Sequence, residues 1–335
     1  MVDLKQYGYI ETEPPAKGLI PGRVTELRRE QYTVVTECGE VTAVLKGSFY
    51  HNATERDAFP CVGDFVFVKH NTSGVSQIAK VLPRHSKFSR SDFSGHSAGY
   101  VKTVLEQVVA TNFDYVFILS SLNADFNINR IMRYVTQARQ SGGKPVIILT
   151  KADLAENFST HVEEVKKTIP EVLIHAISSH TGLGLDELNE YLQPSKTIVF
   201  LGMSGVGKSS LVNVLMDNEV MEVSGIREDD SRGRHTTTHR QLFMLKSGAM
   251  LIDTPGMREL GLLDVDDGIS IGFADVEDLF ANCKFSNCKH KTEPKCAVLS
   301  ALASGELSKE RWEMYLRQTQ ENNFAKNKRG PNFKK

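Results

Sequence analysis

The chain has 335 residues, a length that points to two or three domains, with 40 % hydrophobic and 24 % charged residues and a formal net charge of -1. These values exclude a disordered or strongly basic protein, so nucleic-acid binding would have to come from local patches. The start, MVDLKQYGYIETEPPAKG, has neither the basic opening nor the apolar stretch of a secretory signal, and the apolar runs YVFIL and PVIIL are far too short to span a bilayer. The expected compartment is the cytoplasm.

From Gly22 to about Pro83 five short segments, GRVTEL, YTVVTEC, EVTAVLKG, DFVFVKH and QIAKVL, are separated by turn-like residues. They predict a barrel of the OB type over 1–84, or a small β-domain used only for packing. Residues 85–99, rich in Ser, Gly and basic side chains without period, predict a linker or mobile loop. From about Tyr100 the rhythm becomes strand and helix in alternation. The strands are DYVFILSSL, KPVIILT, VLIHAIS, KTIVFLG and AMLIDT. Helical faces are set by Ile128, Ile131, Val135 and Ala138, by HVEEVKKTI, and by Leu185, Leu188 and Leu192. This predicts a mostly parallel sheet covered by helices over 100–264. Residues 265–335 read as helical and polar. Their end, with five Lys or Arg after Phe324, is expected to be disordered unless a partner orders it.

GMSGVGKS, Gly202 to Ser209, matches the phosphate-loop pattern G-x-x-x-x-G-K-[ST] between an apolar strand and a helix beginning SLVNVLM. Gly202, Met203, Ser204, Gly205, Val206 and Gly207 would turn backbone N–H groups around phosphate oxygens, continuing into Ser210. Lys208 supplies a point charge to the β and γ phosphates and counts among the catalytic groups, and Ser209 offers a hydroxyl to Mg2+. Further on, LIDTPGMREL ends an apolar strand at Asp253, within reach of the Mg2+ shell, and Gly256 can present its N–H to the γ-phosphate.

TKAD closes another strand. The Asp153 carboxylate can accept from both N1–H and the 2-amine of guanine, a donor pair adenine lacks, while Lys151 can lay its stem along the ring and Ala152 completes the turn. Thr150 stands where such motifs usually carry Asn, so base reading leans on Asp153. Ser178 and Ser179 of AISSHTG are placed where backbone N–H groups meet guanine O6; a simple helix entry has the same look. The base-reading segments precede the phosphate loop, the reverse of the ordinary order. A doubly wound sheet tolerates this, because all contacts come from loops at the carboxyl ends of strands. The domain therefore reads as a circularly permuted GTPase, in which the segment with Asp253 and Met257 leads directly into the C-terminal region.

IREDDSRGRHTTTHRQL lies where a nucleotide-sensitive switch belongs. One of Thr236, Thr237 and Thr238 is expected on the magnesium, with Thr237 preferred. Met257 occupies the place of a water-orienting glutamine and cannot replace it; His235 can, or it is a surface loop histidine. Hydrolysis is then slow until a partner orders the loop. Finally, CKFSNCKHKTEPKC spaces Cys283, Cys288, His290 and Cys296 as a closed Cys3His set suited to one structural zinc. Its Lys284, Lys289, Lys291 and Lys295 suit a phosphate backbone, or simply solvent.

With TKAD, AISS, GMSGVGKSS, GRHTTT, DTPGMRE and C-x4-C-x-H-x5-C in this order, nearly the whole chain resembles the RsgA family of small ribosomal subunit biogenesis GTPases. That resemblance implies a cytoplasmic enzyme that contacts the rRNA of the maturing small subunit through its OB and zinc domains, hydrolyses GTP to GDP and phosphate in response, and leaves. It also implies a catalytic role for His235. A monomer without membrane contact is expected. The alternatives are a permuted GTPase acting on the large subunit or another RNA, and a nucleotide-gated RNA-binding scaffold without turnover.

Overall fold

A computed structural model describes residues 1–28, 31–47, 49, 59–92, 105–123, 126–216, 240–253 and 266–329. Five strands open the chain: β1 (Ile20–Arg28), β2 (Gln31–Thr36), β3 (Gly39–Leu45), β4 (Phe65–Lys69) and β5 (Ser76–Val81). They run in the order β1-β2-β3-β5-β4, and β1 pairs again with β4, so the sheet closes into a barrel. The period-two pattern read in the sequence turns Val24, Val34, Ala43, Val66, Val68 and Ile78 inward to fill it. A register shift between Val24 and Glu26 bends β1, and past that bend its Glu26 and Leu27 pair with a strand outside the barrel.

The stretch expected to be a linker carries β6 (Lys87–Asp92), antiparallel to β7 (Leu105–Thr111). Within KFSRSD only Phe88 is large and apolar, too little to signal a strand. Phe88 is nonetheless buried and stacks on Phe113 with ring centroids 4.9 Å apart.

The alternating region gives β8 (Tyr115–Ser121), α1 (Ile128–Gln140), β9 (Lys144–Thr150), α2 (Phe158–Thr168), β10 (Leu173–Ala176), β11 (Thr197–Leu201), α3 (Lys208–Met216), β12 (Arg240–Met244) and β13 (Met250–Asp253). β10, β9, β8, β11 and β13 are parallel in that spatial order, and β12 runs antiparallel to β13. Neighbouring residues feed opposite faces. Val116, Ile118, Ile147 and Leu149 pack on one side, Phe117, Leu119, Val146 and Ile148 on the other, as a sheet covered on both faces requires. The expected helix at LDELNEYL is a short 3-10 helix, Leu185–Glu190. It is entered from Gly184 at φ 68°, and Leu188 and Leu192 still face the core.

β12 also pairs with β1 of the barrel, making one continuous sheet of eleven strands among the described residues. The seam is tied by Arg23, 1 % exposed, whose guanidinium donates to the carbonyls of Tyr7 (2.6 Å), Asn112 (2.8 Å) and Gly63 (3.2 Å).

The C-terminal helices are α4 (Asp266–Gly272), α5 (Ala274–Glu277), α6 (Ala297–Ser304) and α7 (Lys309–Arg329). α4 lies against α1 so closely that a Cβ on Gly268 would come 2.4 Å from the Thr136 carbonyl oxygen, which only glycine allows. Arg311 anchors α7: it pairs with both carboxylate oxygens of Asp275 (2.7 and 3.1 Å) and donates to Gly272 O at 2.6 Å. The expected disorder of the tail is corrected in part, because α7 continues to Arg329 and buries Asn322 at 2 % exposure. Residues 330–335 lie outside the described residues.

Candidate functional site

β11 is buried along its whole length and lies between β8 and β13, so the loop after it emerges at the centre of the carboxyl edge of the parallel sheet. Within that loop Met203, Ser204 and Gly205 are exposed, whereas Val206 is 4 % exposed and anchors the turn. Gly207 has φ 96°, a left-handed conformation that a side chain would strain, and α3 begins at the next residue. The loop, its lysine, and Ser209 and Ser210 in the first turn of α3 thus form the N–H-rich helix start that favours phosphate.

Lys208 Nζ donates to Asp253 Oδ1 at 2.9 Å, and Asp253 is 4 % exposed at the end of β13. A buried carboxylate and the loop lysine therefore converge, although 45 positions separate them. On the other flank Thr150 Oγ1 donates to the Val206 carbonyl at 2.6 Å, joining TKAD to the phosphate loop. Lys151 turns the chain at φ 60°, Ala152 N donates to Ile177 O at 3.0 Å, and Asp153 is left exposed in the short helix Ala152–Leu154. Four segments from both ends of the permuted order thereby meet at one edge.

The 178–183 loop refines the expectation for its two serines. Ser178 N donates to Leu183 O at 2.9 Å, and its hydroxyl accepts from His180 N and Thr181 N at 3.2 and 3.1 Å. Ser178 shapes the loop, and its N–H is already engaged by Leu183 O. Arg130, unremarked in the sequence, reaches from the first turn of α1 to Met203 Sδ; a basic residue shortly after a strand was its only signal. His235, Thr236, Thr237, Thr238, Gly256 and Met257 lie outside the described residues.

A second constellation stands apart from the cleft. One donor atom each from Cys283, Cys288, His290 and Cys296 lies within 4.8 Å of all the others, a set able to hold a metal ion. The His290 Nδ1 to Cys296 Sγ distance is 3.4 Å, Cys283 Sγ to His290 Nδ1 is 3.6 Å and Cys283 Sγ to Cys296 Sγ is 3.9 Å. A tetrahedral ion with bonds of about 2.0–2.3 Å needs edges of about 3.3–3.8 Å, so the spacing suits one. Burial lowers the pKa of His290 and favours the neutral, ligating imidazole. Phe280 stacks on its ring at 4.4 Å and fixes its plane. Burial pushes the Cys288 thiol up to about 11, helped by the neighbouring sulfurs, a repulsion that a cation would relieve.

The profile of the family described as RsgA GTPase matches residues 81–263. The small ribosomal subunit biogenesis GTPase RsgA 1 of Listeria monocytogenes serovar 1/2a is 42 % identical over 335 residues, spanning 98 % of this chain and 92 % of that protein. The crystal structure of YjeQ from Thermotoga maritima matches with a TM-score of 0.69 at 26 % identity, over 91 % of this chain and 98 % of its own. That of YloQ, a circularly permuted GTPase, matches in fold with a TM-score of 0.65 at 22 % identity, over 96 % and 100 %.

Proposed function

Because this chain belongs to the RsgA GTPase family, we propose that it hydrolyses GTP to GDP and phosphate on the maturing small ribosomal subunit, which stimulates the reaction. The observation that carries this reading is the convergence at one sheet edge of Lys208 with Asp253 and of Thr150 with Val206. The loop N–H groups from Gly202 to Gly207 and the Lys208 ammonium receive the β and γ phosphates and stabilise charge that develops on them. Ser209 and Thr237 would hold Mg2+ with support from Asp253, and the ion would supply neutralisation of phosphate charge. Asp153 accepts from N1–H and the 2-amine of guanine, Lys151 covers the ring, and Ser179 donates to O6. Gly256 approaches the γ-phosphate, and His235 orients the attacking water in place of the glutamine that Met257 replaces.

The barrel over 1–84 and the Cys3His region within 265–335 flank the GTPase unit over 100–264 and serve as RNA contacts. Zinc is the metal that three thiolates and one imidazole select, and a closed set of four ligands makes it structural. Lys284, Lys289, Lys291 and Lys295 are all exposed around it and suit a phosphate backbone. Among the described residues no helix is long and apolar enough to cross a membrane.

Asp153→Asn tests the base assignment. The amide turns an acceptor into a donor, so turnover is expected to shift from GTP to XTP, whose base carries a 2-carbonyl. Unchanged GTP preference, or equal competition by ATP and GTP in the parent chain, would contradict it.

A further inference from the structure

Thr150 differs from the asparagine usual in base-reading motifs, and its hydroxyl is already engaged. It is 3 % exposed; Oγ1 donates to Val206 O at 2.6 Å, while Ser120 O lies 3.5 Å away. The peptide between Val206 and Gly207 is planar and trans, so its carbonyl and its N–H point in opposite directions. Holding the Val206 oxygen toward the end of β9 turns the Gly207 N–H, one of the loop's donors, away from β9. Gly207 also rests on the threonine, since a Cβ there would lie 3.7 Å from both Cβ and Oγ1 of Thr150. The backbone on either side extends the connection. Leu122 N donates to Thr150 O at 2.9 Å, and two residues on Ala152 N donates to Ile177 O at 3.0 Å. Thr150 therefore links the phosphate loop to the end of β8, and Ala152 ties the same turn to the loop after β10.

We propose that Thr150 is a positioning residue whose hydroxyl bridge to the Val206 carbonyl couples the base-reading loop to the phosphate loop, without touching the base. This rests on reading the cleft as a guanine-nucleotide site. A hydroxyl has one proton to give, and this one goes to Val206. The guanine edge with N7 and O6 offers only acceptors, so the hydroxyl has nothing left to donate to it. Guanine selectivity then belongs to Asp153, and Thr150 instead sets how firmly a bound base holds the loop that grips the phosphates.

Thr150→Val replaces the hydroxyl by a methyl of similar size, Thr150→Ala removes it without adding bulk near β8, and Thr150→Ser keeps it. The full-length variants are compared, with Mg2+ present, for binding of GDP, of IDP (which lacks the 2-amine) and of 7-deaza-GDP (which lacks the N7 acceptor). Thermal unfolding without nucleotide reports on the fold. A buried carbonyl left without its donor is expected to weaken GDP binding about tenfold in the valine and alanine variants. The GDP to IDP and GDP to 7-deaza-GDP ratios should stay at parental values, and serine should restore GDP affinity. GDP binding as tight as the parent's in both donor-free variants would overturn the bridge. So would loss of the parent's preference for GDP over 7-deaza-GDP, because the hydroxyl would then contact N7. A serine variant as weak as valine would overturn it too. A parent that binds IDP as well as GDP would instead sink the guanine-site reading, and the bridge with it.

Discussion

At Lys208 the fold sets an ammonium 2.9 Å from the carboxylate of Asp253, and in the proposed function the two groups have opposite tasks toward a magnesium nucleotide. Removing the cation leaves the carboxylate alone against the incoming phosphates, so Lys208→Ala is expected to abolish GTP binding at micromolar concentrations while leaving the fold intact; near-parental affinity by calorimetry would refute the assignment. Two cysteines outside the metal set differ in the same residue-level way. Cys61 is 2 % exposed, and burial pushes its thiol up to about 11, with Asp64 adding to the effect. Cys38 is exposed. Since the thiolate is the reactive form, iodoacetamide at pH 8 should modify Cys38 and spare Cys61 until the chain unfolds, as peptide mass spectrometry can read. At this scale the sequence displayed the chemistry of the glycine loop, of Asp253 and of the thiolate set. It could not display where Thr150 sends its proton. That bond crosses 56 positions and exists only because β9 and β11 end side by side around β8.

Among the elements, the consequential contact is β1 with β12. β12 follows the expected switch and leads into β13, so the barrel is hydrogen-bonded to the strand between the switch threonines and Asp253. Arg23 sits at this seam, its pKa lowered to about 10 chiefly by burial, against the raising influence of Asp114 and Asp64. It stays protonated at neutral pH and holds three main-chain carbonyls. Arg23→Met would remove this donor from all three oxygens, Gly63 O keeping Asn112 Nδ2 at 3.2 Å, a loss on the order of 3 kcal/mol, measurable as a lower urea midpoint. No change in the midpoint would mean that the seam gains nothing from the arginine. Elements with strong periodicity, such as β8, α1 and β9, are legible in the amino-acid sequence alone. β6 is not, because Phe88 alone marks its inner face, and neither is the helical start of the tail. There Gln318 and Asn322 are buried along the helix, and Gln318 Oε1 accepts from Thr136 Oγ1 of α1 at 2.8 Å.

On the scale of the whole molecule, a permuted GTPase carries a barrel on one edge of its sheet and, at its end, a helical region whose Cys3His set could hold a metal ion. That region docks on the GTPase unit through contacts other than the metal set: Gly268 N donates to Gln140 Oε1 at 2.7 Å, and Gln318 Oε1 accepts from Thr136 Oγ1 at 2.8 Å. Metal analysis should find one zinc per chain. Chelation is expected to lower helicity and RNA affinity while leaving GDP affinity within about threefold, because the two sites share no partners; parallel loss of GDP binding would argue against two separate sites. The order of the motifs was itself readable, and it identified the permutation. The sheet that spans barrel and GTPase was not, because β1 and β12 lie about two hundred positions apart. The central claim, a GTP hydrolase triggered by the small subunit, is tested most directly by phosphate release from GTP with purified small subunits, large subunits, or neither. Stimulation by small subunits alone, on the order of 10-fold or more, is predicted if the subunit sets His235 against the attacking water; equal rates under all three conditions would contradict the account.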